Sequence, residues 1–251
     1  MLRAARCDEL VGVTEPRPAS DWPEHPYPGD WPDHSYVVDD DALVHRIEVD
    51  ADAPSGWAVR ADGEAVCLDE WLRQAGRPGL AGRTPVLSFG SNRCPSKVVR
   101  QGGPFVNLEC QTTGLAAVWS HGARRDGQIV ATLVTAHEHE DVFFLSMCSD
   151  AEVELLDAVE GRGKRYDLVP LDPEQVVLED GSSPEAVAAY VGVHPDRWPL
   201  AGEQGHPVLL STMSQEEVGL WREQDPAHWY PESHHPFGAL TDVPESDSDV
   251  S

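Results

Sequence analysis

Lysine is almost missing from this chain: Lys97 and Lys164 are the only two, and with arginine they make 18 bases against 44 acids. The resulting net charge of −26 repels the phosphates of nucleic acids and of anionic membranes. The pairs Arg124-Arg125 and Lys164-Arg165 are too short to form a basic patch, although either suits a small anion. Neither nucleic acid nor a membrane is therefore expected as a partner. Long apolar runs are lacking too: none approaches the ~18 residues that a membrane-spanning helix needs, and none follows Met1–Arg6, so a cytoplasmic, unsecreted protein is expected. Cysteine is sparse and scattered (Cys7, Cys67, Cys94, Cys110, Cys148), and without a CxxC pair it argues against a disulfide framework or structural zinc.

What is present is enough for a core, with 40% apolar residues in a chain of 251, the length of one large domain or two small ones. Residues 1–35 carry an imperfect repeat, Asp21-Trp22-Pro23-Glu24-His25 and Asp30-Trp31-Pro32-Asp33-His34, among prolines that exclude regular helix. An extended arm is expected, packed across the body because its aromatics are costly to expose; a partner-binding arm or a His/acid metal site is the functional alternative. From Ser35 to Cys67, short alternating runs separated by Asp- and Gly-containing turns read as strands. Leu68–Ala75 has helical spacing and stops at Gly76, and a linker leads to Arg83.

The stretch Pro85–Pro95 reads as a strand, Val86-Leu87, entering a turn at Gly90, with Pro95 suited to a first helical turn. Its backbone N–H groups at Gly90, Ser91 and Asn92 are then free to meet an anion, most naturally a carboxylate. Further on, Gln128–Ala136 and Val142–Cys148 read as two strands of a hairpin joined by the polar turn His137–Asp141, itself a weak metal-binding pattern. A helix is expected from Ser149 to Gly161, with Ser149 and Glu152 as a capping box and Gly161 as the C-terminal cap. Val153, Leu156 and Glu160 share one face of it, so an apolar stripe ends in a carboxyl placed to accept and return a proton, unless that carboxyl reaches water instead. A Cys94 nucleophile acting with His121 is the rival chemistry.

The two stretches together resemble the γ-glutamylcyclotransferase family. Leu87-Ser88-Phe89-Gly90-Ser91-Asn92 resembles its Tyr-Gly-Ser-Asn motif, and Leu156-Asp157-Ala158-Val159-Glu160-Gly161 its Leu-Asp-x-x-Glu-Gly motif, in the same order, with Tyr166 a few residues beyond the Glu. Val176–Gly181 and Ala186–Val191 look like the closing strands. The resemblance implies an α+β fold built as a mixed β-barrel with flanking helices, spanning about residues 84–192. Residues 1–83 would form an arm with accessory strands, and 193–251 a wrapping segment with a helix from Ser214 and an acidic tail.

It further implies intramolecular aminolysis of a γ-glutamyl amide or peptide, releasing 5-oxoproline and an amine, with no metal or organic cofactor. Glu160 would be the catalytic acid/base. Phe89, Gly90, Ser91 and Asn92 would form the substrate-binding loop, and Tyr166 a pocket wall or hydrogen-bond donor. Two residues depart from the pattern. Phe89 stands where Tyr is usual, removing a hydroxyl, and Arg93 follows where an apolar residue is commoner; Arg93 is then a candidate partner for a substrate carboxylate or a surface residue. The basic loop Gly161–Arg165 either gates the cavity or is an exposed turn. A non-catalytic small-molecule-binding or interaction protein on the same fold is the alternative.

Overall fold

A computed structural model describes residues 15–61, 63–103, 105–202 and 206–224. The first strands are β1 (Arg17–Pro18), β2 (Tyr36–Val38), β3 (Leu43–Val49), β4 (Trp57–Ala61) and β5 (Glu64–Cys67), followed by helix α1 (Leu68–Gln74). Next come β6 (Thr84–Ser88), α2 (Pro95–Gln101), the long strands β7 (Val106–Ala123) and β8 (Ile129–Cys148), and α3 (Asp150–Glu160). The chain continues through β9 (Tyr166–Leu171), β10 (Val176–Leu178), β11 (Val187–Gly192) and α4 (Gln215–Gln224). Among the described residues no helix is long and apolar enough to cross a membrane.

The fold is α+β. One 11-stranded sheet runs in the order β5-β4-β3-β2-β7-β8-β6-β11-β9, with β1 added on β3 and β10 on β7. This path ends at β5 and β9, so its hydrogen bonds do not close into the barrel implied by the resemblance. The strands before Gly76 belong to the same sheet, because β2 pairs with β7 through Tyr36↔Asn107 and Val37↔Val106. The core lies on β7 and β8, where Leu115, Trp119, Leu133, Phe143 and Leu145 are buried.

The hairpin expected within 128–148 does not form. Both apolar runs lie in one strand, β8, and pair antiparallel with β7, first as Leu115↔Thr135 to Ala123↔Ile129 and then as Asn107↔Ser146 to Thr113↔Glu140. Between the two ladders β8 has the four residues 136–139 against Gly114 alone in β7, an excess of three, and Glu138 takes a left-handed φ of 61° there. Residues 136–139 are therefore an outward excursion of a paired strand, with His137 and Glu138 exposed, and Glu140 and Asp141 are already back in the ladder. The true hairpin turn is Arg124–Gln128, closed by hydrogen bonds from Gly127 N to Arg124 O and from Arg124 N to Gln128 O.

The arm packs as its aromatics require: Trp22 and Tyr27 are buried, Ser96 Oγ donates to Ala19 O, and Glu24 forms a two-pronged pair with Arg100. The peptide bonds before Pro26 and Pro28 are cis. His25 bonds to Gln128 and His34 to Asp33, so the repeat does not bring its histidines together. No group of three or more His, Cys, Asp or Glu among the described residues is arranged for a metal. Ser214 and Glu217 cap α4 reciprocally. The acidic tail and His228–Pro231 lie outside the described residues.

A half-buried carboxyl on β7 gives one pH-dependent outcome. Burial, reinforced by Glu179 and Asp33 and opposed by Arg46, pushes Glu109 up from 4.5 to about 7. A carboxyl held protonated by the fold binds more protons folded than unfolded between those values, so its contribution to stability is lost as pH rises from 4.5 to about 7. Glu109→Gln is expected to raise unfolding free energy at pH 8 by about 1 kcal/mol, a figure reduced for solvent screening, and to leave it unchanged at pH 4. Urea denaturation at the two pH values checks this; an equal effect at both counts against it.

Candidate active site

The site begins where β6 ends. β6 lies parallel to β11, with Val86 opposite Ala188 and Leu87 opposite Ala189, and antiparallel to β8 on its other side. Beyond Ser88 the chain passes through Phe89 and Gly90 into a 3-10 turn, Ser91–Arg93, and then into α2, with Pro95 at its first position as expected. The N–H groups of Gly90, Ser91 and Asn92 donate to no acceptor among the described residues. They line a cavity of about 240 Å³ together with Phe89, Glu160 and Tyr166.

Helix α3 delivers Glu160 as its last residue. The Ser149/Glu152 capping box starts the helix, and Gly161, in the left-handed region with φ 67°, ends it. Leu156 is fully buried on the inward face, and Glu160 is half-buried one turn further along. Asn92 Nδ2 donates to Glu160 Oε1 at 3.1 Å, so the two expected halves of the site are in direct contact. The second carboxylate oxygen of Glu160 has no protein partner among the described residues.

Phe89 is buried and edge-on to Phe143, which makes it a wall of the cavity. Tyr166 is also a wall, and its hydroxyl donates to Ala131 O at 3.2 Å. Arg93 is the exception. A 3-10 helix turns about 120° per residue, so when Asn92 faces Glu160 its neighbour faces away. Arg93 is buried outside the cavity lining, its guanidinium 3.5 Å above the Trp31 ring and its Nη1 donating to Val142 O. Cys94 is not a poised nucleophile: its thiol donates to Trp22 O, and burial raises its pKa.

Three side chains unassigned from sequence complete the cavity. Lys97 is buried, with Nζ donating to Ser91 Oγ and to Asn92 Oδ1, each at 2.7 Å. Asn92 therefore bridges Lys97 and Glu160, its amide orientation fixed at both ends. Burial lowers the pKa of Lys97 and the charge on Glu160 opposes that shift. The second is Tyr27, from the N-terminal arm. Its ring packs on Trp119, its hydroxyl accepts from Ala131 N at 2.9 Å, and burial pushes its pKa to about 12, so it remains an O–H donor at neutral pH. The third, Arg197, follows β11. One sequence signal for Lys97 was its rarity and its place one turn after the loop.

Gly90 has φ −112°, outside the left-handed region, so its own backbone does not demand glycine. The demand comes from Tyr27: a Cβ at Gly90 would sit 2.5 Å from the Tyr27 hydroxyl oxygen but 3.6 Å from the ring carbon that carries it. Gly90→Ala is expected to cost about 1–3 kcal/mol by overpacking, and clearly less on a Tyr27→Phe background. A double-mutant cycle by chemical denaturation measures the coupling, and simple additivity would remove the hydroxyl as its cause.

Five of the 18 basic residues line this one cavity, Lys97, Arg100, Arg124, Arg165 and Arg197, against a single acid, Glu160. In a chain of net charge −26 that concentration makes the cavity a place for an anion. No protein-family model and no curated protein matches the chain. The solution structure of At5g39720.1 from Arabidopsis thaliana is similar over 57% of this chain and 83% of that one, at 20% identity and a TM-score of 0.34, values that carry no argument about function.

Proposed function

We propose that the protein is a γ-glutamylcyclotransferase-like enzyme, converting a γ-glutamyl amide or peptide into 5-oxoproline and a free amine. The observation that carries this reading is the Asn92–Glu160 hydrogen bond, which joins an amide-rich loop suited to a carboxylate to a carboxyl with one free oxygen. In this reading the substrate's α-carboxylate lies on the N–H groups of Gly90, Ser91 and Asn92, with Lys97 as its counter-charge. Glu160 takes a proton from the α-amine, whose nitrogen attacks the γ-carbonyl carbon. A C–N bond closes the five-membered ring, the original amide C–N bond breaks, and Glu160 returns the proton to the departing amine.

The reaction is intramolecular, so holding the folded conformer supplies much of the acceleration. The Tyr27 hydroxyl lines the same cavity as Phe89 and lies against the next residue, Gly90, so it can stand in for the phenol that Phe89 lacks. The test is incubation of the purified protein with a panel of γ-glutamyl dipeptides and γ-glutamylamines, measuring 5-oxoproline. Turnover of any member is expected, and none at all would overturn the reading. That the N-terminal arm supplies a wall of the cavity through Tyr27 favours a second reading, a non-catalytic binder of the same small anions, which would show ligand affinity with no 5-oxoproline.

A further inference from the structure

Arg197 reaches the cavity from outside the segment that holds the loop and Glu160. It ends a 3-10 turn, Pro195–Arg197, laid across two strands that each have glycine where it lands. A Cβ at Gly122 of β7 would run into Asp196, and one at Gly192 of β11 would run into the backbone carbonyl and Cβ of Arg197. Backbone bonds hold the turn there, from Arg197 N to His194 O at 2.7 Å and from His121 N to Trp198 O at 2.8 Å. The placement of Arg197 is therefore built into three separate parts of the chain.

Its electrostatics are unbalanced. Arg197 is 8% exposed, its Nη1 donates to Asp196 O at 3.1 Å, its Nε has no partner, and no carboxylate pairs with it among the described residues. Arg83, equally buried, is met by Glu152; Arg93, also without a carboxylate, lies 3.5 Å from the face of Trp31. Arg197 has only the Tyr166 ring, 5.9 Å away. Lys97, 7% exposed, donates to two neutral oxygens and likewise has no carboxylate in ion-pair contact. The other cavity cations are engaged: Arg100 with Glu24, Arg124 with Asp126, and Arg165 with the carbonyls of Val159 and Glu160. Burying a charge without a counter-charge is costly, so a ligand with a single carboxylate would leave one of the two buried cations uncompensated.

We propose that Arg197 determines specificity by binding a second anionic group, carried on the leaving-amine side of the substrate. The inference rests on the γ-glutamyl reading of the site and names the substrate as a dianion, counting its anionic groups apart from the α-ammonium. A guanidinium fork pairs with two oxygens of a carboxylate or of a phosphate alike, so the amine is an amino acid or a phosphorylated amine, and a neutral amine is selected against.

Calorimetric titration of Glu160→Gln protein, in which turnover is expected to be slowed at least about 100-fold, tests this with three ligands. These are γ-glutamylglycine, γ-glutamylphosphoethanolamine and the monoanionic γ-glutamylethylamide. At least one dianion is expected to bind roughly 30-fold tighter than the ethylamide, the range of a charge-assisted bond. Which dianion gains tells carboxylate from phosphate. Adding Arg197→Met should erase that advantage and leave ethylamide affinity unchanged, which also reports an intact cavity; adding Arg197→Lys should keep part of it. Equal affinity for all three ligands, or an Arg197→Met loss shared by all three, overturns the inference and leaves the γ-glutamyl reading standing. Binding of none, together with no 5-oxoproline from the unaltered protein, overturns both.

Discussion

Replacing Glu160 with Gln is expected to lower 5-oxoproline release by about 100- to 10,000-fold, the range of a positioned general acid–base group. The amide keeps the size of the carboxyl and can still meet Asn92 after rotation, but it cannot take a proton from the α-amine. The deficit should fall on kcat, with KM little changed, because the α-carboxylate contacts proposed for Gly90–Asn92 and Lys97 do not involve Glu160. Glu160 caps no helix and forms no ion pair among the described residues, so the thermal midpoint should stay within a few degrees. Steady-state kinetics beside a melting curve checks both; full activity in the variant would sink the assignment of Glu160 as acid/base.

The largest stability effect is expected at Arg83 and Glu152, which lie behind the site. Their side chains are 3% and 9% exposed, and Arg83 Nη1 meets Glu152 Oε2 at 2.9 Å. Arg83 also donates to the carbonyls of Pro78, Gly79 and Met147. Glu152 accepts from Ser149 N and Oγ at the start of α3, and from Phe105 N just after α2. Removing one partner of a buried pair leaves the other charge without a counter-ion, at a cost of about 3–5 kcal/mol. Arg83→Met should therefore lower unfolding free energy by that amount in urea titrations, and a loss under 1 kcal/mol would show that water replaces the guanidinium. Because α3 ends in Glu160, a folded Arg83→Met protein should also lose activity.

The parts of the site legible in sequence are those whose signals are local. The glycine turn after Leu87 and the capping box at Ser149 each lie within a few residues, and both are formed. Arg93 was misplaced because adjacency along a chain is not adjacency around a 3-10 turn. The hairpin was misplaced because β7 carries Gly114 and polar residues in its middle, which hides an 18-residue strand able to pair with both halves of β8. Tyr27 and Arg197 had no local signal at all. Their traces are the glycines at 90, 122 and 192, whose need for an absent side chain is visible only when the packing partner is known.

The cavity wall runs from Tyr27 to Arg197 in the sequence, and its middle is supplied by β6, α2 and α3. During synthesis, the loop and Glu160 leave the ribosome well before Arg197 does. The growing chain can thus form a sheet, a helix and a carboxyl in place while the pocket still lacks a wall. The pocket gains its last wall only after the turn at Pro195 has emerged and settled on Gly122 and Gly192.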